Sequence, residues 1–563
     1  MPTKSNVLQI NTDVLVVGGG CAAARAALEA RANGVEVMML VKGAFGRCGA
    51  TSYRVSDIGS FSIADGCDDP DDNHEFHFQE TMDAGMGMCD PMLVRILVEN
   101  APRIIDDFNK WGIHFMEQKG KHLINMACFG RRPRMHIVQG FGFPIMSILK
   151  EIIFESGIRV MPDTMAVELV VHGGKCIGVL DLGPREEVLA INAGATVLAT
   201  GGAGQLFSHT LYPADLTGDG YAMALRAGAS LINTEFMQMG IGAALPKLLI
   251  GNWIWPLYPN VVDPEGRSIL SKHLPLGVSA EECMQDKSTH WPFSVEHSAK
   301  YIDIAVFNEA RENDDHSVFL DLRDKADEIP QDHPLIGMRY QWLLSHGIDV
   351  RRGLIPIINY SHSFGGGVIV DSQGRTTLPG LYAAGEVAGG MHGANRVGGN
   401  MLLACQVFGA ISGFNAAEES LDANPQIPSE AMDRLFATLH HLGGNNDKDI
   451  AHLRQRLKRV FWTYLMVVRN EKGLVCALDE VRNIRQNLTE SGKDSLKNLK
   501  RQLEIRNMLD VGEVVAEAAL MRKESRGSHH REDFPIRDEE DFGLPAIVRS
   551  VSGCIQFHKH RWN

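Results

Sequence analysis

Residues 12–24 read TDVLVVGGGCAAA, and no other stretch narrows the fold so far. Thr12–Val17 is a short apolar run, the pattern of a strand buried on both faces. It stops at Gly18, and the spacing Gly18-x-Gly20-x-x-Ala23 follows at once. Residues 21–33 are alanine-rich and helical in pattern, and VEVMMLV (35–41) reads as a second buried strand. Two buried strands joined by a helix make a βαβ unit. In it Gly18 makes the tight turn and Gly20 lets the backbone approach a pyrophosphate. The helix N-terminus adds unpaired N–H groups and the positive end of its dipole. The spacing points to dinucleotide binding. Val41-Lys42 stands where an acidic ribose ligand is usual, so ribose recognition is not legible there.

The rest of the chain bounds this reading. Its 563 residues suggest roughly two to four domains. A net charge of -14 argues against a general nucleic-acid binder, because phosphates would be repelled. The first twenty residues carry no apolar signal core, and no run is long enough to span a bilayer, so the chain reads as cytoplasmic. The ten cysteines are scattered with no C-x-x-C pair. The chain therefore is expected to hold no iron–sulfur cluster and no metal of its own.

Further strand signals lie at 167–173, 176–182 and 194–202, with a glycine turn at TGDG (217–220) before a helix. Residues 241–354 are richer in Trp, Pro and His and read as an insertion with its own packing. Strand signals return at 366–371 and 378–386, and from 427 the pattern is helical. ATVLATGGAG (195–204) and LPGLYAAGEVAGG (378–390) are both strand–glycine turns. Such returning strands favour FAD over NAD, and Glu386 is placed to reach a ribose hydroxyl.

Taken together, VVGGGCAA, LATGGAGQLF, LTGDGYAMALRAGA, VFLDLR, LPGLYAAGE, HGANRVGGN and ESRGSHHREDFPIRD resemble, in order along the chain, the flavoprotein subunits of succinate dehydrogenase and fumarate reductase, a family that includes L-aspartate oxidase. The resemblance implies an α/β fold: a two-dinucleotide-binding-type FAD domain with a central parallel sheet (1–240 and 355–426), interrupted by an α+β capping domain (241–354) and followed by a C-terminal helical domain and tail (427–563). It implies FAD contacts from Gly18, Gly20, Cys21, Ala22, Ala23, Lys42, Gly49, Thr51, Ala199, Thr200, Gly201, Asp219, Glu386, Asn400 and Leu402. It also implies hydride transfer between flavin and a C–C bond beside a carboxylate, with an iron–sulfur partner protein for the electrons. Arg396 matches the family's carboxylate clamp and His362 a substrate-binding histidine. A planar guanidinium suits a carboxylate because it binds it bidentately.

Three family positions differ. Gly49 falls where members with covalent flavin carry a histidine, so the FAD is expected to be noncovalent. Gly240 replaces a substrate-binding histidine and Ala299 the proton-transferring arginine. Fumarate and succinate are then unfavoured as substrates, and a larger, more apolar pocket is expected. Lys300 and Tyr301, next to Ala299, are the candidates for the missing proton transfer, with His297 nearby. The alternatives are an amino-acid oxidase and an FAD-binding electron-transfer subunit without substrate chemistry. The basic stretch GRRPRMH (130–136) reads either as an anion grip or as a solvated turn, and the tail FHKHRWN (557–563) as a frayed end.

Overall fold

The computed structural model describes residues 7–52, 59–185, 187–313, 317–332, 334–421, 423–442, 447–488, 496–551 and 554–562. The strands that position the site are β1 (Val7–Val17), β2 (Val37–Leu40), β3 (Arg159–Met161), β4 (Met165–His172), β5 (Lys175–Leu182), β6 (Val188–Leu198), β7 (Met237–Ala243), β8 (Ile355–Phe364) and β9 (Leu381–Ala383). The helices are α1 (Cys21–Ala32), α2 (Asp219–Arg226), α3 (Ala280–Lys287), α4 (Lys300–Glu312), α5 (Pro334–Ser345), α6 (Asn400–Ser420) and α7 (Leu496–Met521).

The main sheet runs β3-β2-β1-β6-β5-β4, with β9 also on β6. Its centre is parallel: β1 pairs with β2 and β6, β2 with β3, and β6 with β9. The hairpin β4–β5 joins antiparallel at one edge. Val14–Val17 are almost completely buried, as a strand covered on both faces must be. Val17 lies level with Leu40 and with Leu198. These strands therefore end together and release Gly18, Val41 and Ala199 along one edge, the place where open α/β sheets bind ligands.

A second apolar core gathers Ile241, Trp255, Ile302, Leu320, Tyr340 and Ile357. Its antiparallel sheet is built on β7 and β8, flanked by short strands at Leu248–Leu249, Phe319–Asp321 and Asn260–Val262. The β7–β8 ladder slips once. Gln238 faces Ser363 and Met239 faces Ser361, which leaves His362 as the extra residue of a β-bulge. Bulges re-aim side chains, and this one presents His362.

The C-terminal helices dock through charge. Asp510 of α7 receives Arg226 at 2.6 Å and Arg485 at 2.7 Å. Glu504 of the same helix receives Lys42, next to the end of β2, at 2.8 Å. The tail is not a frayed end. Ala546–Val551 and Cys554–Lys559 form a hairpin that pairs with Leu231–Ile232, and Trp562 packs against Ile232, Ile369 and Ile547. Among the described residues no helix is long and apolar enough to cross a membrane.

Candidate active site

One continuous pocket follows the edge where β1, β2 and β6 end and runs on to Arg396. At its first end Gly18 has φ +140, and a Cβ there would lie 2.1 Å from the Ala199 carbonyl oxygen, so only glycine fits. A Cβ on Gly20 would meet nothing closer than Thr51 Oγ1 at 3.6 Å, which leaves the backbone open to the pocket. Gly20 is the N-cap of α1 and supplies no side-chain cap. Gly399, φ +81, is the N-cap of α6 and supplies none either. Two helix N-termini with glycine N-caps thus open on one pocket, their first amides bonded to Thr51 Oγ1 at 3.4 Å and to the Val397 carbonyl at 3.2 Å and the next ones facing it, and the Thr200 hydroxyl beside them is buried without a partner among the described residues. Unpaired N–H groups and positive dipole ends suit a dinucleotide's pyrophosphate and electron-rich ring, so the residues present fit FAD.

Lys42 explains the missing acidic residue after β2. Its Nζ reaches Asp219 at 2.8 Å, Thr217 Oγ1 at 2.7 Å and Glu504 at 2.8 Å. Burial opposes the ammonium charge, but the two carboxylates outweigh it and hold the Lys42 pKa above its ordinary value. The lysine is a buried tie between β2, α2 and α7. Glu386 is the other acidic residue expected to contact FAD. It lies in the pocket wall, accepts from the Phe364 amide at 3.0 Å and from the Tyr212 hydroxyl, and burial raises its pKa.

The second end is built by residues 391–400. The loop is braced from both sides: Ser528 donates to the Ala394 carbonyl at 3.0 Å, and Asn395 donates to Ser294 at 3.0 Å. Gln238 of β7 holds Arg396 twice, donating to its carbonyl at 2.8 Å and accepting from its Nε at 3.0 Å. The guanidinium also donates to His362 Nε2 at 3.4 Å and to the Val397 carbonyl at 3.2 Å. Arg396 is only 9% exposed, and among the described residues it has no carboxylate partner. Burial lowers its pKa. Burial, with the Arg396 charge beside it, pushes His362 down to about 3, so the ring is neutral at physiological pH. His392 is pushed to about 3 by the same two causes but does not line the pocket.

Of the residues singled out in the sequence, Gly18, Gly20, Cys21, Ala22, Lys42, Gly49, Thr51, Ala199, Thr200, Gly201, Asp219, Glu386, Leu402, His362 and Arg396 line this pocket. Four do not. Ala23 is buried inside α1. Asn400 turns its side chain to His77 at 2.9 Å and Thr81 at 3.1 Å. Lys300 donates to the Val295 carbonyl at 2.8 Å, and Tyr301 packs against the second core. Their neighbourhood to Ala299 in sequence does not carry them to Arg396, because Lys300 opens α4 and α4 faces that core.

The expected enlargement is also corrected. A Cβ on Gly240 would lie 2.7 Å from the Trp291 indole, which fills the space. The indole Nε1 donates to the Ile241 carbonyl at 2.6 Å, and its ring stands edge-on to His362, centroids 4.9 Å apart. The wall is apolar as expected, with Met126, Met135, Leu249 and Pro292, but Cys128 and Arg339 also reach it. Nothing in the periodicity around Arg339, on α5, marks it as a pocket residue. The basic stretch 130–136 neither grips a ligand nor lies loose: Arg134 is buried between Asp72 and Glu80, 2.7 Å from each, and Arg131 and Arg132 pair with Asp83 and Asp69.

Known proteins resemble this chain in sequence and in fold. The FAD binding domain family model matches residues 13–402, and the fumarate reductase flavoprotein C-terminal model matches residues 454–559. An uncharacterized FAD-dependent oxidoreductase of Methanocaldococcus jannaschii is 34% identical, over 94% of this chain and 95% of its own. A fumarate reductase (CoM/CoB) polypeptide of Methanothermobacter marburgensis is 32% identical, over 93% and 94%. The solved structure of Mycobacterium smegmatis Sdh1 in complex with UQ1 superposes with a TM-score of 0.83 at 27% identity, covering 98% of this chain and 94% of that one.

Proposed function

We propose, for a chain that belongs to the succinate dehydrogenase and fumarate reductase flavoprotein family and is an FAD-dependent oxidoreductase, that the substrate is a carboxylate with a C–C bond beside the acid group, other than fumarate or succinate. Arg396 carries the reading: a buried guanidinium with no carboxylate in contact among the described residues is costly, and an arriving carboxylate relieves that cost. Bound FAD supplies hydride transfer to or from the carbon. The residues of the chain do the rest. Gln238 fixes the plane of Arg396, and Arg396 takes the carboxylate and favours negative charge developing on it. Neutral His362 accepts one guanidinium N–H and keeps the fork turned toward the cavity. Trp291 limits what fits beside Gly240 and keeps water from that wall. The absence of a histidine at 240 and of an arginine at 299 is what disfavours fumarate.

In this reading residues 241–354 act as a cap, since Leu249, Gly251, Trp291, Pro292 and Arg339 all face the pocket. Residues 1–240 with 355–426 are the FAD domain and 427–563 the C-terminal unit. FAD is held noncovalently, because Gly49, whose amide donates to Asp215 at 2.9 Å, has no side chain to attach. The electron partner is an iron–sulfur protein, since the cysteines of this chain are scattered.

The test is anaerobic. The holoprotein is reduced fully and mixed with fumarate, with bulkier enoic acids and with their amides. Reoxidation by an enoic acid other than fumarate, and not by its amide, is the expected result. In Arg396→Gln the rate should fall by roughly 10²–10³, the loss seen when one transition-state donor is removed. Equal rates with the amide would sink the clamp. Flavin reduction by L-aspartate would move the protein to the amino-acid oxidases. Acid precipitation of the same sample should release the flavin into the supernatant.

A further inference from the structure

Outside the pocket lining, the last turn of α3 and the segment joining it to α4 gather three ligand-type side chains: Asp286, His290 and His297, whose ligand atoms lie within 4.8 Å of one another. Asp286 Oδ1 stands 3.3 Å from His297 Nδ1. That is about the edge of a tetrahedron whose ligands sit roughly 2.0–2.1 Å from a Zn²⁺ ion. The His290 and His297 rings lie 4.0 Å apart. His290 is 1% exposed, and its Nε2 is buried with no hydrogen-bond partner among the described residues. A buried, unmatched ring nitrogen needs an explanation, and a cation at the centre of the three groups supplies one.

The supporting contacts are those a metal site needs. The other ring nitrogen of His290, Nδ1, meets Thr289 Oγ1 at 3.1 Å, and that hydroxyl donates to the Asp286 carbonyl at 2.8 Å. The second carboxylate oxygen of Asp286 is held by Ser298 Oγ at 2.9 Å and by the Ala299 amide at 3.2 Å, which leaves Oδ1 for the ion. Ligands whose remaining atoms are already bonded keep their orientation when the ion leaves. The neighbouring cation, Lys287, is committed to Asp303 and to the Trp291 carbonyl, the latter at 2.8 Å. Phe129 packs against both rings, 5.2 and 6.1 Å between centroids, and shields one side, while His297 and Asp286 keep solvent access on the other.

A second grouping of the same composition shows the contrast. In Asp65, His122 and His136 a ring nitrogen, His136 Nε2, is likewise buried without a hydrogen-bond partner among the described residues, but the two histidines already bond each other directly, Nδ1 to Nδ1 at 3.1 Å.

We propose that Asp286, His290 and His297 form a divalent transition-metal site of the two-histidine, one-carboxylate kind, which would take Zn²⁺ or Fe²⁺ with open coordination positions toward solvent. This replaces the expectation that the chain carries no metal. The ion would tie the end of α3 to the start of α4 and so fix Trp291, which lies between the ligands in sequence and forms the pocket wall beside Gly240.

The experiment uses the flavin-loaded protein, freed of metal with a chelator. Zn²⁺ alone is titrated by calorimetry, and Co²⁺ by its ligand-field absorption at wavelengths beyond the flavin bands. One equivalent should bind, and the cobalt spectrum should be that of nitrogen and oxygen ligands. His290→Ala and the half-exposed His297→Ala should each abolish the equivalent while keeping flavin, and His122→Ala should keep it. The half-exposed variant guards against a core histidine that simply fails to fold. Fewer than half an equivalent in the unaltered protein would overturn the site, as would full binding in His297→Ala or loss only in His122→Ala. None of these results depends on which substrate Arg396 takes.

Discussion

Arg396 and Gln238 are a unit in which one side chain holds the other while leaving its charge open. Leu at 238 would remove two hydrogen bonds, one of them to a charged group, worth about 1.5–3 kcal/mol. Glu at 238 is the sharper test. Gln238→Glu keeps the shape but hands Arg396 a resident counter-ion, so an incoming carboxylate must compete with it. We expect kcat/KM to fall at least about 100-fold, with much of the loss in KM, because ground-state capture of the acid group is what is blocked. Flavin content should stay unchanged, since neither residue touches the Gly18–Ala22 end. A KM equal to that of the parent would mean that Arg396 does not receive the carboxylate. Arg396 and His362 were legible in sequence because their glycine-rich settings carry a family pattern. Gln238 stood in view but unassigned, since its role appears only when β7 is laid against the loop 391–400.

At the scale of elements, the β7–β8 pair and Trp291 decide the pocket's shape. Gly240 sits on β7 opposite Tyr360, and the indole of Trp291 rests on it. Restoring the family's residue as Gly240→His should therefore not restore a fumarate site. The imidazole would meet the indole, and overpacking of this kind costs about 1–3 kcal/mol. We expect a lower apparent melting temperature and weaker flavin retention in Gly240→His. Gly240→His with Trp291→Ala should recover most of that loss, giving a favourable coupling of about 1 kcal/mol or more in a double-mutant cycle. Simple additivity would show that the indole moves aside freely. Set only against the histidine it replaces, Gly240 suggests empty space. What fills that space comes from another segment of the chain, which no local periodicity relates to β7.

For the whole molecule, the order of elements followed from the strand–glycine–helix start, because buried runs and glycine turns are local signals. The mixed sheet, the charged docking of α7 and the closing hairpin were less legible, since the last two depend on partners more than a hundred residues away and the first on which edge a hairpin joins. The sheet also holds a group that looks in sequence like an ordinary strand residue. Asp181, on β5 between Leu189 and Ala166, is fully buried, and neither carboxylate oxygen has a hydrogen-bond partner among the described residues. Burial alone raises its pKa well above the usual value. The unfolded chain gives up this proton near the ordinary aspartate value of about 3.9, while the folded chain keeps it. Over the interval between the two values the folded state binds more protons, so its stability falls as pH rises. Asp181→Asn cannot ionise and should lack this decline. Thermal unfolding of the flavin-loaded proteins should show similar apparent melting temperatures near pH 4 and an advantage for Asp181→Asn of roughly 2 °C or more near pH 7.5. Parallel curves for the two proteins from pH 4 to 8 would mean that the carboxyl group finds a partner in the sheet and ionises there as it does in the unfolded chain.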